Sequence, residues 1–467
     1  MKNWAFLNVS FLLLTYKKNM KALILAAGNG TRMQPVTRGR HKSLMPLLGL
    51  KIIERVILGA KEAGINEFVI VTGYKGKDLR GFLGNGKKYN VFISYVHNNN
   101  WEKANGISAL LAKKYFKENF VLLMSDHVFD PSTLKKLQRL KLKKNECALA
   151  IDHNLKSSLD IKDTTKVMVK MGKVTNIGKH IVNYNAFDTG MFFCSPHIFK
   201  ALEKTTSIGK NSLTNGVNVF VQKGNLRTFN NRGNFWADCD TYKDIKFAEK
   251  KLLASLTKAA DGNISKLLNR KVSTFMTKFL IHTPLTPNII SFIIPFLAIF
   301  TFFILAKGGY PWFVFGGLMI QLLSIVDGID GELSRLKFMG TNWGKWIDPI
   351  LDRYVDAIVI AGMAYGYWII TGNNFILPIA IFVLLADILQ DYMSSKFAVI
   401  TGVKLKTRDV SFKRDARLLL LALGAITNQI LIAFIVFIVI SQYKVVNRFI
   451  AAKRITEERV SSKIQHV

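Results

Sequence analysis

The sequence predicts an α/β soluble half joined to an all-α transmembrane half of six helices. Three observations carry that fold class. The 467 residues are 49% apolar, but the apolar residues are unevenly spread. Up to about Lys271 the pattern is that of a soluble protein, with short apolar runs between polar helical segments, and beyond it apolar runs of spanning length dominate. A chain of this length accommodates two or more domains.

Composition narrows the class further. Lysine and arginine number 65 against 31 acids, a net charge of +34. No basic stripe is interleaved with stacking aromatics, which argues against nucleic acid as the partner. Anionic lipid at the bilayer surface and anionic substrates both fit the excess, as does surface lysine of no special purpose. The cysteines are three, Cys147, Cys194 and Cys239, an odd count at spacings that suit no zinc site, so a reduced cytoplasmic compartment is expected for the soluble half. Residues 1–19 read as an N-terminal extension. Their apolar run "NVSFLLLTY" is too short to span and lacks a small-residue cleavage site, and a start at Met20, directly before a strand, is expected.

The first half opens with "KALILAAGNGTRMQPVTRGRHKSLMP", residues 21–46. Residues 21–25 read as a buried strand running straight into glycine-rich backbone, where exposed N–H groups can approach phosphate oxygens. No Gly-Lys-Ser/Thr ending follows, which excludes a P-loop. Arg32 and Lys42 are two fixed cations able to neutralise a triphosphate as pyrophosphate leaves. "FVIVTG" (68–73) and "NVFISYV" (90–96) read as strands, "NGISALLAKKYF" (105–116) as a helix, and "FVLLMSDHVFD" (120–130) as one apolar strand ending in an acid. Strands alternating with helices favour a parallel sheet with ligands at the carboxyl ends of the strands, where Asp126 falls. Asp126 and Asp238, with Asp240 as a nearby rival, are candidate ligands for Mg²⁺ against nucleotide phosphates. A helix cap or turn is the plainer use of any one of these aspartates.

"LAAGNGTRMQPVT" followed by "KSLMP" resembles the signature of the sugar-phosphate nucleotidyltransferases. That resemblance covers roughly residues 21–253. It implies a Rossmann-like mixed sheet, a cytidylyltransferase domain over 20–253, and a triphosphate held on the loop of residues 28–32. Leu25, Ala26, Ala27, Gly28, Asn29, Gly30, Thr31, Asn105 and Gly106 would bind CTP, Arg32 and Lys42 would assist phosphoryl transfer, and Asp126 and Asp238 would hold the metal. "DTTKV" (163–167), "IGKHIVNYNAFDTG" (177–190) and "NGVNV" (215–219) look most like the inositol-1-phosphate cytidylyltransferase branch, in which Lys166 and Lys179 would grip the substrate phosphate and Asp188 a ring hydroxyl. Lysines on an exposed rim are the plainer reading of both.

Residues 254–285 read as an amphipathic helical linker lying on the bilayer surface. A membrane domain then occupies 286–467. "TPNIISFIIPFLAIFTFFILA" (286–306) is long enough to span without a charge, and further spans centre near Gly317, Gly362 and Phe382. The apolar region 418–441 carries a polar break at "TNQ" (427–429) and is read as two spans, making six. Even parity puts the basic segment 402–414, the basic tail and the soluble domain together on the cytoplasmic side of a cell membrane.

Between the second and third spans lies "VDGIDGELSRLKFMGTNWGKWIDPILDRYVD". Asp327 and Asp330 are three apart at one helix end, and Asp348 and Asp352 four apart at the next helix start, so each pair shares a face. A short connection makes the helices antiparallel neighbours. Four carboxylates converging in a low dielectric repel unless divalent cations relieve them, and hard oxygen ligands favour Mg²⁺ or Mn²⁺. An ion pathway or a buried ion-pair network is the rival reading, and for Asp356, Asp387 and Asp391 the two readings stand level. Arg414 and Arg417 in "KRDARLLL" (413–420) could clamp the phosphate of an acceptor, or serve only as topogenic charge.

The stretch reads D-x2-D-G-x2-S-R-x8-G-x3-D-x3-D and resembles the CDP-alcohol phosphatidyltransferase signature, with Ser334 where alanine is usual. The resemblance implies that Asp327, Asp330, Asp348 and Asp352 hold two metals, that Asp352 is also the general base, and that Gly331, Ser334, Arg335 and Gly344 lie along the CDP-alcohol. From about Met20 the whole chain resembles the bifunctional inositol-phosphate cytidylyltransferase and di-myo-inositol phosphate phosphate synthases, membrane homodimers that convert CTP and inositol-1-phosphate to CDP-inositol, then join it to inositol phosphate to make a compatible-solute precursor. Two other readings use the same residues. One is a CDP-diacylglycerol or archaeal ether-lipid head-group transferase with a regulatory first half. The other is a transporter with a nucleotide sensor, which the lack of internal repeats or paired broken helices disfavours.

Overall fold

The computed structural model describes residues 20–155, 161, 163–257, 262, 265–403, 405 and 412–464. The extension 1–19 and most of the basic segment at 404–411 lie outside them. The chain divides into two compact units, Met1–Ser255 and Leu256–Val467.

The first unit is built on strands β1 (Lys21–Ala26), β2 (Pro46–Leu47), β3 (Leu50–Lys51), β4 (Glu67–Thr72), β5 (Phe92–His97), β6 (Phe120–Met124), β7 (His127–Phe129), β8 (Cys147–Asp152), β9 (Lys166–Lys170), β10 (Lys173–Gly178), β11 (Ala186–Cys194), β12 (Leu226–Asn230) and β13 (Trp236–Asp238). Nine of them form one sheet in the order β5-β4-β1-β6-β11-β8-β12-β10-β9. β5, β4, β1 and β6 run parallel, as the alternation of strands and helices predicts, and β11 is antiparallel to both β6 and β8. The reason is the connection. A parallel return needs a crossover, whereas the β9–β10 hairpin feeds β11 back directly. Apolar side chains cover both faces of the sheet, so its central strands are continuous hydrophobic runs.

The stretch expected as one strand over 120–130 is two. β6 ends at Met124, Ser125 and Asp126 turn, and β7 leaves the main sheet to pair with β13, His127 opposite Asp238. The turn is pinned by Ser125 N–H donating to the Leu25 carbonyl at 3.2 Å and by the hydroxyls of Ser43 and Ser125 at 2.9 Å. Asp126 therefore leaves the strand end beside the glycine loop after β1.

The second unit contains α1 (Arg270–Leu280), preceded by one π turn at Ser265–Asn269, and six further helices: α2 (Pro287–Ala306), α3 (Tyr310–Lys337), α4 (Asn342–Thr371), α5 (Ile376–Thr401), α6 (Arg414–Ile426) and α7 (Ile430–Ile464). Among the described residues, α2, α3, α4, α5 and α7 are long and apolar enough to cross a membrane. The polar break at 427–429 does interrupt the helix, with Asn428 at φ 57°. The first arm, α6, has only 13 residues, about 20 Å of rise, so it falls short of a bilayer's hydrocarbon. This is the one expected span that the helix lengths do not support. Glycines set the close crossings. A Cβ at Gly366 of α4 would stand 2.0 Å from the Leu305 carbonyl oxygen of α2, and one at Gly317 of α3 would stand 2.7 Å from the Ala422 carbonyl oxygen of α6.

The linker is not one surface helix. Tyr242–Ser255 belongs to the first unit, and α1 is amphipathic in an inverted sense. Its buried face is polar, Ser273 and Thr277, while Phe275 and Phe279 point outward. The inward groups converge on Glu332 of α3, which is fully buried. Ser273 Oγ donates to it at 2.6 Å, Thr277 Oγ1 at 2.7 Å and Arg270 Nη1 at 2.8 Å. Outward-facing phenylalanines on α1 and on the bundle suit a lipid environment, and this unit makes the chain a membrane protein.

Truncating Glu332 removes the buried carboxylate that Arg270, Ser273 and Thr277 share. Glu332→Ala is expected to cost about 3–5 kcal/mol. Glu332→Gln, which keeps one acceptor oxygen and offers an N–H that the other hydroxyl can accept, should cost clearly less. Thermal unfolding in detergent should rank wild type above Glu332→Gln above Glu332→Ala.

Candidate active sites

In the first unit, β1 delivers a loop whose Gly30 sits at φ 59°, where a Cβ would come within 2.8 Å of the Lys42 side chain. The loop and Lys42 are thus packed into one wall of a cleft of about 280 Å³. Leu25, Ala27, Gly28, Asn29, Gly30, Thr31, Arg32, Lys42 and Asn105 all line it. Two residues expected there do not. Ala26 is buried in β1, its carbonyl taken by His41 at 3.1 Å, and Gly106 is pressed against backbone, its Cβ position 2.5 Å from the Asn211 carbonyl oxygen. Trp101, Lys103 and Ser108 also line the cleft, and no motif marks them in the sequence.

The two cations are engaged with acids. Lys42 Nζ pairs with Asp126 and, at 2.6 Å, with Asp240, while Arg32 bridges Asp163 and Asp240. Burial would push the Asp240 carboxyl up, but Lys42 and Arg32 hold it down to about 2. Lys42 is raised above the ordinary lysine range, because Asp126 and Asp240 outweigh its burial. Asp240 is therefore a partner of the cations, which leaves Asp238 to face Asp126. Between these two stands His127, which sequence reasoning missed. One donor atom each from Asp126, His127 and Asp238 lies within 4.8 Å of the others. This is a possible metal-binding group, and its hard carboxylates together with a buried Asp238 Oδ1 that has no hydrogen-bond partner among the described residues suit a divalent ion. Burial lowers the His127 imidazole, yet Asp238 and Asp126 more than offset it and raise it to about 10.

A second cleft, of about 210 Å³, meets the first at Asn105, Met124, Asp126 and Asp240. Lys179 and Asp188 line it, and Lys179 Nζ is 3.6 Å from Asp163. Burial pushes the Asp188 carboxyl up to about 6, against the pull of the Gly190 N–H it accepts at 2.7 Å. Lys166 is placed differently. It donates to the Lys179 carbonyl at 2.7 Å and lies over the Tyr184 ring, outside the cleft lining.

In the second unit, Asp327 and Asp330 ride on α3, and Asp348 and Asp352 on α4, joined by a four-residue turn in which Phe338 takes φ 54°. The carboxylates form two sets rather than one knot; among the described residues no three of them gather within 4.8 Å. Arg414 Nη1 stands between Asp327 and Asp352, 3.0 Å from each, and its Nε is 3.1 Å from Asp356. Asp330 instead accepts from Ser291 Oγ of α2 at 2.7 Å. Asp327 and Asp352 share a single guanidinium, which Asp356 also claims, so net negative charge remains and suits divalent cations. Gly331 lies one turn from Arg335, and a Cβ there would be 3.3 Å from Arg335 Nη1. A Cβ on Gly340 of the turn would be 3.3 Å from Ser334 Oγ, and Gly344 N–H is capped by Thr341 Oγ1 at 2.9 Å.

Below this runs a cavity of about 760 Å³ lined by Asp352, Arg353, Lys413, Arg414, Arg417, Lys444 and Arg448. Both arginines expected at the bundle mouth reach it, but as members of ion pairs. Arg417, 4% exposed, is 2.9 Å from Asp387 and 3.0 Å from Asp391. Arg353 pairs with Asp356, Asp387 and Asp391, an ion-pair network that the sequence leaves open for these three acids.

Known proteins divide along the same line. The family of nucleotidyl transferases matches residues 21–158, and that of CDP-alcohol phosphatidyltransferases residues 284–452. A bifunctional IPC transferase and DIPP synthase of Aquifex aeolicus is 30% identical over 91% of this chain and 96% of its own length. The protein of the same description from Archaeoglobus fulgidus is 31% identical over 90% of this chain and 80% of its own. Among solved structures, the inositol-1-phosphate CTP transferase from T. maritima aligns with 50% of this chain and 96% of its own at 26% identity and a TM-score of 0.44.

The Asp240 carboxyl has a folded value of about 2 against an ordinary 3.8, so it contributes stability that is present above 3.8 and lost as pH falls through about 2. That contribution is about 2 kcal/mol. The difference in melting temperature between wild type and Asp240→Asn should narrow as pH is lowered across that window. A gap independent of pH would mean that Lys42 and Arg32 do not depress this group.

Proposed function

The chain belongs to the family of bifunctional IPC transferases and DIPP synthases, and on that premise we propose how its two halves divide the work. The first half takes CTP and inositol-1-phosphate to CDP-inositol and pyrophosphate. The second takes CDP-inositol and an inositol phosphate to di-myo-inositol phosphate phosphate and CMP. The observation that carries this is a complete charged set in each half: Arg32, Lys42, Asp126 and Asp238 in one, and Asp327, Asp330, Asp348 and Asp352 in the other. A lipid head-group transferase would leave the first set without a task.

In the first half, backbone N–H groups of residues 28–32 receive the triphosphate. Arg32 and Lys42 exchange their aspartates for phosphate oxygens and neutralise charge as pyrophosphate departs. The two clefts meet at Asn105, Asp126 and Asp240, so a phosphate entering beside Lys179 faces the α-phosphorus of CTP there, with Asp188 available to a ring hydroxyl. Lys166 acts on this substrate by fixing the Lys179 backbone.

In the second half, Gly331 and Gly344 let the nucleotide approach α3 and α4 closely, and Ser334 and Arg335 flank it. Asp352 takes the proton from the acceptor hydroxyl, whose oxygen attacks the inositol-side phosphorus as CMP leaves. Arg414 and Arg417 present positive charge to the acceptor phosphate in the 760 Å³ cavity. Mg²⁺ or Mn²⁺, held by Asp126 and Asp238 in one half and by Asp327, Asp330, Asp348 and Asp352 in the other, would polarise the phosphoanhydride when bound. The chain crosses a cell membrane several times with its soluble domain cytoplasmic, and it works as a homodimer.

The two steps separate by substitution. Lys42→Met should lower pyrophosphate release from CTP and inositol-1-phosphate by about 10²–10³-fold while CMP release from supplied CDP-inositol stays intact. Asp352→Asn should do the reverse, with a loss of about 10²–10⁴-fold. Unaltered CMP release in Asp352→Asn would end its assignment as base.

A further inference from the structure

We propose that His127 is a nitrogen ligand to the divalent ion of the first half, standing between Asp126 and Asp238. The proposal rests on the reading that these two aspartates hold that ion. It adds a ligand type to the site and a preference among metals.

The register of a two-stranded ribbon creates the arrangement. β7 and β13 pair antiparallel with His127 directly opposite Asp238, and Asp126 precedes His127 in the turn. His127 Nε2 lies 3.4 Å from Asp238 Oδ2 and 4.0 Å from Asp126 Oδ1. The other ring nitrogen, Nδ1, is 3.1 Å from the Thr189 carbonyl oxygen. A carbonyl can only accept, so Nδ1 carries a proton and donates it. Nε2 is left to point at two carboxylates, which are acceptors as well. Three acceptors cannot face each other without a cation among them, and the candidates are a proton on Nε2 or a metal. A ring nitrogen fixed by a backbone carbonyl is the usual outer support of a metal-binding histidine.

One further observation favours the metal. Asp238 Oδ1 is buried with no hydrogen-bond partner among the described residues, so a proton on Nε2 would serve Oδ2 and leave Oδ1 unanswered. The imidazole is also seated in a notch cut for it. A Cβ on Gly190, at φ 75°, would stand 2.1 Å from His127 Nδ1, so only glycine at that place in β11 admits the ring. Lys42 meanwhile occupies Asp126 Oδ2, which leaves Oδ1 on the side of the histidine.

An imidazole moves a site away from pure Mg²⁺ chemistry and toward Mn²⁺, Co²⁺ and Zn²⁺. Among the described residues no histidine is grouped with the aspartates of the second half, where Ser291 Oγ donates to Asp330. The two halves should therefore rank metals differently.

The test is pulsed EPR of the full-length protein in detergent with Mn²⁺ alone, prepared with natural-abundance and with ¹⁵N-labelled histidine. Modulation from a directly bound histidine nitrogen is expected, changing with the label and vanishing in His127→Gln, whose Mn²⁺ affinity at this site should fall at least about tenfold. The labelling contrast is read on unaltered protein, so it holds whether or not the variant folds. Mn²⁺ bound with no histidine coupling, with Asp126→Asn and Asp238→Asn each still removing one bound ion, would overturn this proposal and leave the aspartate reading standing. Coupling that persists in His127→Gln would overturn it too. If neither aspartate substitution changes the number of ions bound, the aspartate reading fails first and this proposal with it.

Discussion

Carboxylates crowded onto a few turns of backbone must be matched by cations, and both halves of this molecule are organised around that requirement. In the first half Lys42 and Arg32 are spread over Asp126, Asp163 and Asp240. In the second, Arg414 serves Asp327, Asp352 and Asp356, while Arg353 and Arg417 hold Asp387 and Asp391. In a medium of low dielectric an unmatched charge of this kind costs several kcal/mol. The acids thus keep the cations in place along the clefts.

Backbone geometry decides which acid meets which cation. In the first half the parallel strands β1 and β6 end side by side, so the glycine loop and the Ser125–Asp126 turn face one cleft. The switch to antiparallel β11 opens a second cleft against the first, with Asp126 and Asp240 common to both. In the second half the acidic ends of α3 and α4 are set by a four-residue turn and by glycine notches that bring helices within touching distance of neighbouring backbone. The Glu332 cluster fixes α1 to the same stretch of α3 that carries Asp327 and Asp330.

The two chemistries form a sequence. Each is a displacement at phosphorus of a phosphoanhydride. The activated product of the first is the kind of donor that the second consumes. Carrying both on one chain keeps their amounts equal, a benefit that requires no particular geometry between the halves.

Much of this was legible in the residues. Strand β1 with its glycine loop, the five long apolar helices, the helix break at 427–429, and the pairing of acids at intervals of three and four on α3 and α4 all follow from local pattern, because a strand end, a span and a helix face are short-range properties. Tertiary structure decided the rest. No spacing announces that His127 lies opposite Asp238, since strand register is settled by partners more than 100 residues away. Nor does spacing show that Arg414 takes up Asp327 and Asp352, that Ser291 reaches Asp330, that Glu332 anchors α1, or that Lys166 turns from the cleft to a backbone carbonyl. A charged side chain goes to whatever counter-charge the fold brings near, and sequence distance carries almost no information about that.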